Sequence, residues 1–174
     1  MDLPENPAGQ WPTRCHPNSE KIMNPITCAD IADAAEILEL QKLAYQSEAA
    51  IYNDWSIPPL TETLDDVKRE LVKITFLKVC DAGRIIGSVR VAINNGTGEI
   101  GRLIVHPDFQ GRGIGSQLML AVEAGFPAVK RFELFTGSKS VRNIWLYERL
   151  SYTIFDRKPL SDLVELVFME KLRD

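Results

Sequence analysis

Apolar and polar positions along this chain repeat with two periods, and each change of period marks a change of element. Residues 25–28 read as a short strand. Asp30 then caps a helical pattern to about residue 47, with Ile31, Ala34, Ile37, Leu38, Leu40, Ala44 and Tyr45 on its apolar face. Residues 51–60 read as a loop of aromatic and acidic residues stiffened by Pro58-Pro59, and Thr61 or Thr63 can cap a second helix through residue 73. Strands at 74–80 and 85–93 follow, joined by Asp81-Ala82-Gly83-Arg84, a hairpin signal. Asn95-Gly96-Thr97-Gly98 turns the chain into a third strand, which Pro107 stops. A helix from 114 to near Gly125, a strand at 132–136, a helix at 141–150 and strands at 153–156 and 163–170 complete the pattern. The predicted order is β-α-α-β-β-β-α-β-α-β-β, an α/β fold.

Residues 1–24 fall outside that pattern. They hold Pro4, Pro7, Pro12 and Pro17 among polar residues without periodicity, which predicts an extended arm ahead of a single domain over 25–174. A chain of 174 residues, 45% hydrophobic, is long enough for one domain with a core of its own. A net charge of −4 argues against a general nucleic-acid surface. Cys15, Cys28 and Cys80 are widely spaced and show neither a disulfide framework nor a metal-ligand spacing, and no metal site is expected. Cys80, mid-strand in an apolar pattern, reads as core rather than nucleophile. No run approaches a membrane span and no apolar segment follows Met1, so no membrane contact is expected and the cytoplasm is the default location.

Candidate chemistry is concentrated where the third strand meets the next helix. Three glycines, Gly111, Gly113 and Gly115, stand at a predicted helix start with Arg112 between two of them. The first N–H groups of a helix have no partner within it, and the helix dipole favours an anion there. Glycine lets a phosphate oxygen approach the backbone, and Arg112 adds a cation. A Walker A loop would need a lysine before Ser116, and a dinucleotide fingerprint would need a glycine in place of Ser116.

Gln110-Gly111-Arg112-Gly113-Ile114-Gly115 instead resembles the Gln/Arg-x-x-Gly-x-Gly/Ala pyrophosphate loop of the GNAT acyltransferase superfamily, and it follows a strand ending in Val105-His106-Pro107, that family's Val-x-Pro. Asn143-Ile144-Trp145-Leu146-Tyr147-Glu148-Arg149-Leu150-Ser151-Tyr152 is similar to the family's later signature, with Ser151 where glycine is usual and Ser140 where an asparagine is common. The predicted element order is the GNAT order, and the resemblance covers about residues 25–172. It implies a mixed central sheet and acetyl-CoA as cofactor, with CoA released as product. It also implies cofactor contacts from the backbone of Leu103, Ile104 and Val105, from the loop through Gln110, Gly111, Arg112, Gly113, Ile114, Gly115 and Ser116, and from Ser140, Asn143 and Tyr147 on one helical face. Glycine at position 151 commonly takes a left-handed, helix-ending conformation, so serine there should cost stability without touching chemistry.

The resemblance further implies acetyl transfer to a primary amine by direct attack, without a side-chain nucleophile. Tyr147 then serves as general acid toward the departing thiolate; packing in the core is its alternative role. Glu99, eleven residues before Gln110, is the candidate base, and a solvent-exposed strand-end carboxylate is the alternative. Glu48, Asp54 and Glu165 are weaker candidates on acceptor-side elements. Tyr52, Asp54 and Trp55 are expected at the acceptor, a small molecule or short peptide, by charge and by a cation–π face. Trp55 as a plain lid and Tyr52 at a homodimer interface remain alternatives. A protein amino terminus or lysine as acceptor, and a CoA-binding module without turnover, are the competing functions.

Overall fold

The computed structural model describes residues 24–173; the predicted N-terminal arm lies almost wholly outside them. Seven strands form one sheet in the order β1-β2-β3-β4-β5-β7-β6. They are β1 (Ile26–Cys28), β2 (Thr75–Asp81), β3 (Arg84–Asn94), β4 (Thr97–Val105), β5 (Arg131–Gly137), β6 (Thr153–Pro159) and β7 (Glu165–Leu172). Every neighbouring pair is antiparallel except β4 and β5. The sheet is therefore mixed.

Neighbouring residues on β2 divide between two apolar clusters, Leu77 in one and Phe76 in the other, so each face of the pleat has its own core. One face carries α1 (Ala34–Ala44) and α4 (Leu64–Leu71), which bury Ala34, Ile37, Leu38, Leu40 and Val67. The other carries α5 (Ile114–Gly125) and α6 (Val141–Arg149), which bury Leu118, Met119, Val122 and Tyr147.

The region before β2 is more broken than its sequence pattern. Asp30 does cap, through a reciprocal box with Asp33, but the first turn is a 3-10 turn and Ile31 is 54% exposed. The helix pauses at Tyr45 and resumes as α2 (Gln46–Tyr52), so Ile51 and Tyr52 are helical rather than in a loop. One further turn, α3 (Pro58–Thr61), precedes α4, which Thr63 caps through a second box with Asp66.

Two irregularities open the middle of the sheet. Strands β4 and β5 pair only over Thr97–Arg131, Gly98–Phe132 and Glu99–Glu133, and then part. At the paired end the approach is close: a Cβ on Gly98 would lie 2.5 Å from the Phe132 ring. Beyond it, β3 and β4 change register between Ser88 and Arg90, and Arg102 sits in the shift with φ +47°. A bulge of this kind bends the strand and strengthens its twist. Leu103, Ile104 and Val105 lie on the length of β4 that has parted from β5, beside the wedge between the two strands.

Candidate active site

The glycine loop caps one wall of the wedge. Strand β4 is anchored at its end by His106 N–H donating to Ile86 O at 2.8 Å, and a 3-10 turn (Pro107–Phe109) leads into the loop. Gly111 (φ +76°) and Gly113 (φ +81°) both hold left-handed backbone, and Gly113 is the N-cap of α5 without any side-chain cap. A Cβ at Gly111 would meet nothing within 4 Å, and one at Gly113 only Gln117 Nε2 at 3.9 Å. The loop thus faces open space with uncapped helical N–H groups, the arrangement that receives an anion. The side chains expected on that anion brace the loop instead. Arg112 donates to Asp108 O at 2.9 Å and lies 4.9 Å over the Phe109 ring, while Gln110 Nε2 donates to Val105 O at 3.2 Å. Gly115 seats α5 on its neighbours, since a Cβ there would meet Leu146 at 3.4 Å, Leu103 at 3.8 Å and Val105 at 3.9 Å. Ile114 is buried beside it and Ser116 lies in the first turn, whereas Ile104 belongs to the core of the opposite face.

Tyr147 comes from α6. Its ring is buried, 6.2 Å from the Tyr152 ring, and burial first, then the Tyr45 and Glu48 side chains, push its hydroxyl well above the ordinary tyrosine range. The hydroxyl therefore keeps its proton. Ser140 caps α6 in position but not in bonding: its Oγ donates to Glu48 on α2. Asn143 Nδ2 reaches the same carboxylate at 3.3 Å and Thr136 Oγ1 at 3.4 Å. Ser140, Asn143 and Tyr147 share a neighbourhood, as their spacing on one helix predicts, and Glu48 joins them.

The expected acceptor residues are more dispersed. Tyr52 is buried, and its hydroxyl accepts from Lys139 N–H at 2.7 Å. Gly137 is required there, because a Cβ would fall 2.2 Å from that hydroxyl. Asp54 turns inward on its own segment, accepting from the Ser56 hydroxyl at 2.6 Å and its N–H at 2.9 Å, and these bonds hold its carboxyl below the usual range. Trp55 is 57% exposed. Glu99 is exposed at the paired end of β4 and accepts from Asn94 Nδ2 at 2.9 Å. Cys80 is buried on β2 and disulfide-bonded, so the expectation of cysteines without a disulfide is corrected at that position. Among the described residues Cys28 is the free cysteine, and burial raises its thiol despite Lys78 nearby.

A layer behind the site escaped the sequence reading. Arg102 reaches from the β4 bulge to Glu62 on the α3–α4 connection, 2.6 Å away, with its guanidinium 5.7 Å over the Tyr45 ring. Glu62 also accepts from Gln41 at 2.7 Å. Burial works to raise the Glu62 carboxyl, but bonds from Arg102 and Gln41 and the charges of Arg102 and Arg90 outweigh it and hold it low. These partners are tens of residues apart, so no local pattern could have joined them.

The profile of the Acetyltransferase (GNAT) family matches residues 34–152. The chain belongs to this family. The GNAT match runs from α1 through Tyr152 and takes in the bulge, the glycine loop and Tyr147. Acetyl-CoA is the acyl donor of the family, and an uncapped loop whose two left-handed glycines face open space fits its pyrophosphate.

Among solved structures, a PaiA N-acetyltransferase from Thermoplasma acidophilum in complex with coenzyme A superimposes with a TM-score of 0.74 at 17% identity, covering 87% of this chain and 100% of that one. YncA, a putative acetyltransferase from Salmonella typhimurium with acetyl-CoA, gives a TM-score of 0.68 at 22% identity, covering 87% and 94%. Likeness at this identity speaks to the fold. A UPF0157 protein, YqkA, from Bacillus subtilis is 29% identical over 119 residues, 68% of this chain and 34% of that protein. The chain thus spans about a third of the length of that relative. Among the described residues no helix is long and apolar enough to cross a membrane, and no group of three or more His, Cys, Asp or Glu could hold a metal ion.

Proposed function

We propose that this GNAT domain, residues 25–174, moves the acetyl group of acetyl-CoA to a primary amine of a small molecule or short peptide by direct attack in a ternary complex. Three observations carry the reading together: β4 leaves β5 after Glu99, the uncapped glycine loop follows the end of β4, and Tyr147 is buried with its proton. When bound, acetyl-CoA supplies the activated acyl group. The uncapped N–H groups of the loop and first turn of α5 hold its pyrophosphate. Leu103, Ile104 and Val105 lie past Glu99, where β4 has left β5, so their backbone groups on that side are available to the pantetheine arm. Ser140 and Asn143, at the start of α6, are the further proposed contacts to the cofactor.

Tyr147 holds a proton for the sulfur that leaves, and burial keeps that proton in place until it is needed. Glu99 is the proposed acceptor of the amine's proton; because it lies at the paired end of β4, it acts through water. Tyr52 contributes by tying α2 to the β5–α6 turn, and Trp55 and Asp54 edge the acceptor side. Neither Cys80, held in a disulfide, nor Cys28, its thiol raised, is poised to carry an acyl group.

Steady-state CoA release, measured with acetyl-CoA against aliphatic amines, amino-acid amides and short peptides, tests the reading. Turnover is expected on small amines, with intersecting initial-rate lines. Parallel lines would point to an acyl-enzyme and overturn direct attack. CoA binding without turnover on any amine would make the domain a binding module.

A further inference from the structure

Among the described residues no cation pairs with the Glu48 carboxylate. Five other half-buried or buried glutamates meet one: Glu62 meets Arg102, Glu70 meets Arg90, Glu123 meets Lys171, and Glu133 and Glu170 both meet Arg131, while Glu36 accepts from the Ile85 N–H at 2.7 Å. Glu48 is half-buried and takes only two neutral donors, Ser140 Oγ and Asn143 Nδ2. Lys139 is next to Ser140 in the chain, yet its ammonium lies 5.4 Å over the Tyr52 ring and makes no ion pair with Glu48. Arg102 is taken by Glu62. A carboxylate has about four lone-pair sites, of which two are used here.

The surroundings say which cation fits. Tyr45 precedes Glu48 by three residues and Tyr52 follows it by four, a spacing that returns to one side of a helix. Tyr45 has Arg102 over its ring, and Glu48 is close enough for its charge to act on the hydroxyls of both Tyr45 and Tyr147. Ser140 and Asn143 fix the carboxylate before any ligand arrives, which lowers the ordering cost of binding. A compact ammonium suits the two remaining lone-pair sites better than a planar guanidinium, because its donors rotate freely to meet them.

We infer that Glu48, held by Ser140 and Asn143 beside Tyr45 and Tyr147, is the subsite that binds the acceptor as a primary ammonium ion. This deepens the acetyl-transfer reading and rests on it for the word acceptor, but ammonium binding itself does not depend on turnover. It moves the recognition of charge from Asp54, whose carboxylate is engaged by Ser56, to Glu48. Glu48 acts here as an anchor; the proton leaves by the route already given.

The test is NMR titration of the full chain, with and without saturating CoA, using methylammonium, n-butylammonium and 1,4-diaminobutane, with n-butanol as the neutral counterpart. Wild-type protein should bind at least one ammonium probe, bind n-butanol at least about tenfold more weakly, and shift resonances of α2 and α6. Glu48→Gln should weaken the ammonium probe by about 30-fold, as for loss of one partner of a desolvated charge pair, and change CoA affinity by less than about threefold. Glu48→Asp keeps the charge one methylene back and should fall between them, so the inference stays testable if Glu48→Gln folds poorly. Equal ammonium affinity in wild type and Glu48→Gln, or no binding of any ammonium probe to wild type, overturns the inference. Glu48-dependent binding without CoA release would uphold this subsite and sink the acetyl-transfer reading; CoA release unaffected by Glu48→Gln would do the reverse.

Discussion

Arg102 and Glu62 meet 2.6 Å apart, and Arg102 does so from a left-handed position (φ +47°) in the β4 bulge. The strand that opens the wedge and the connection between α3 and α4 are thereby tied at one ion pair. Both side chains are largely withdrawn, 15% and 14% exposed, and Arg102 Nε is buried with no hydrogen-bond partner. Removing Glu62 would leave that guanidinium still less compensated.

Glu62→Gln should therefore destabilise the fold by about 2–4 kcal/mol in chemical denaturation. The same variant should alter the pH dependence. The folded Glu62 carboxyl lies below its unfolded value of about 4.3, so its stabilisation is present above that pH and is lost as pH falls through the folded pKa. Glu62→Gln should flatten that part of the acid limb. A wild-type acid limb retained in the variant would show that the pair contributes nothing measurable.

Gly113→Asp tests the loop. A side chain and a negative charge would stand where the uncapped α5 faces open space, and acetyl-CoA affinity by calorimetry should fall at least about tenfold, roughly 1.4 kcal/mol. Strain at φ +81° is a separate effect, and Gly113→Asn carries nearly the same strain without the charge. Asparagine should bind acetyl-CoA better than aspartate does. Equal losses in the two would assign the effect to backbone strain alone.

The sheet and the loop were legible because their signals are local: alternation over β2 to β4, and glycines at fixed spacing before a helical period. The GNAT profile, reaching from residue 34 to 152, agrees with that reading of the fold. What stayed hidden depends on packing between distant segments. Nothing around Tyr45 marks the pause that turns one predicted helix into α1 and α2, yet that pause sets the face on which Glu48 meets Ser140. Tyr52 is expected at an acceptor because residues 51–60 read as a loop and its ring offers a cation–π face. In the fold it is a strut, its hydroxyl taken by Lys139 N–H over the space that Gly137 leaves. Arg112 is expected to add a cation, and Gln110 to belong to the cofactor loop by resemblance; their side chains donate to Asp108 O and Val105 O, contacts that the motif does not display.

Ser151 supplies a prediction about stability alone. It follows α6 with φ +69°, the left-handed conformation expected where relatives of this family use glycine. Its N–H still donates to Glu148 O at 2.9 Å, so the turn is made and only the Cβ is out of place. Ser151→Gly relieves that contact at the cost of a more flexible unfolded chain. The net gain should be about 0.5–1 kcal/mol, with a Tm raised by a few degrees and kcat unchanged. A lowered Tm would mean that the serine is compensated elsewhere.

The two proposed proton-handling groups make opposite demands on their surroundings, and a paired experiment separates them. An acid for the leaving sulfur must carry its proton at working pH, and burial of Tyr147 raises its hydroxyl above the ordinary value of about 10. Tyr147→Phe keeps the ring against Tyr152 and loses only the hydroxyl, so the fold and acetyl-CoA affinity should survive while kcat falls roughly 10²-fold. Because the shift is upward, the wild-type rate should show no alkaline fall from this group below about pH 10. Glu99 has the opposite requirement. It must accept a proton, and it is exposed with Asn94 already on one oxygen, so water can reach it freely. Glu99→Gln preserves the bond from Asn94 to the side-chain oxygen and removes the basic site, and kcat should fall about tenfold or more if the carboxylate takes the amine's proton. The paired result is decisive in either direction. Loss in both variants supports Tyr147 as the acid and Glu99 as the base, whereas loss in Tyr147→Phe with full activity in Glu99→Gln would leave proton removal to solvent and reduce Glu99 to a strand-end charge.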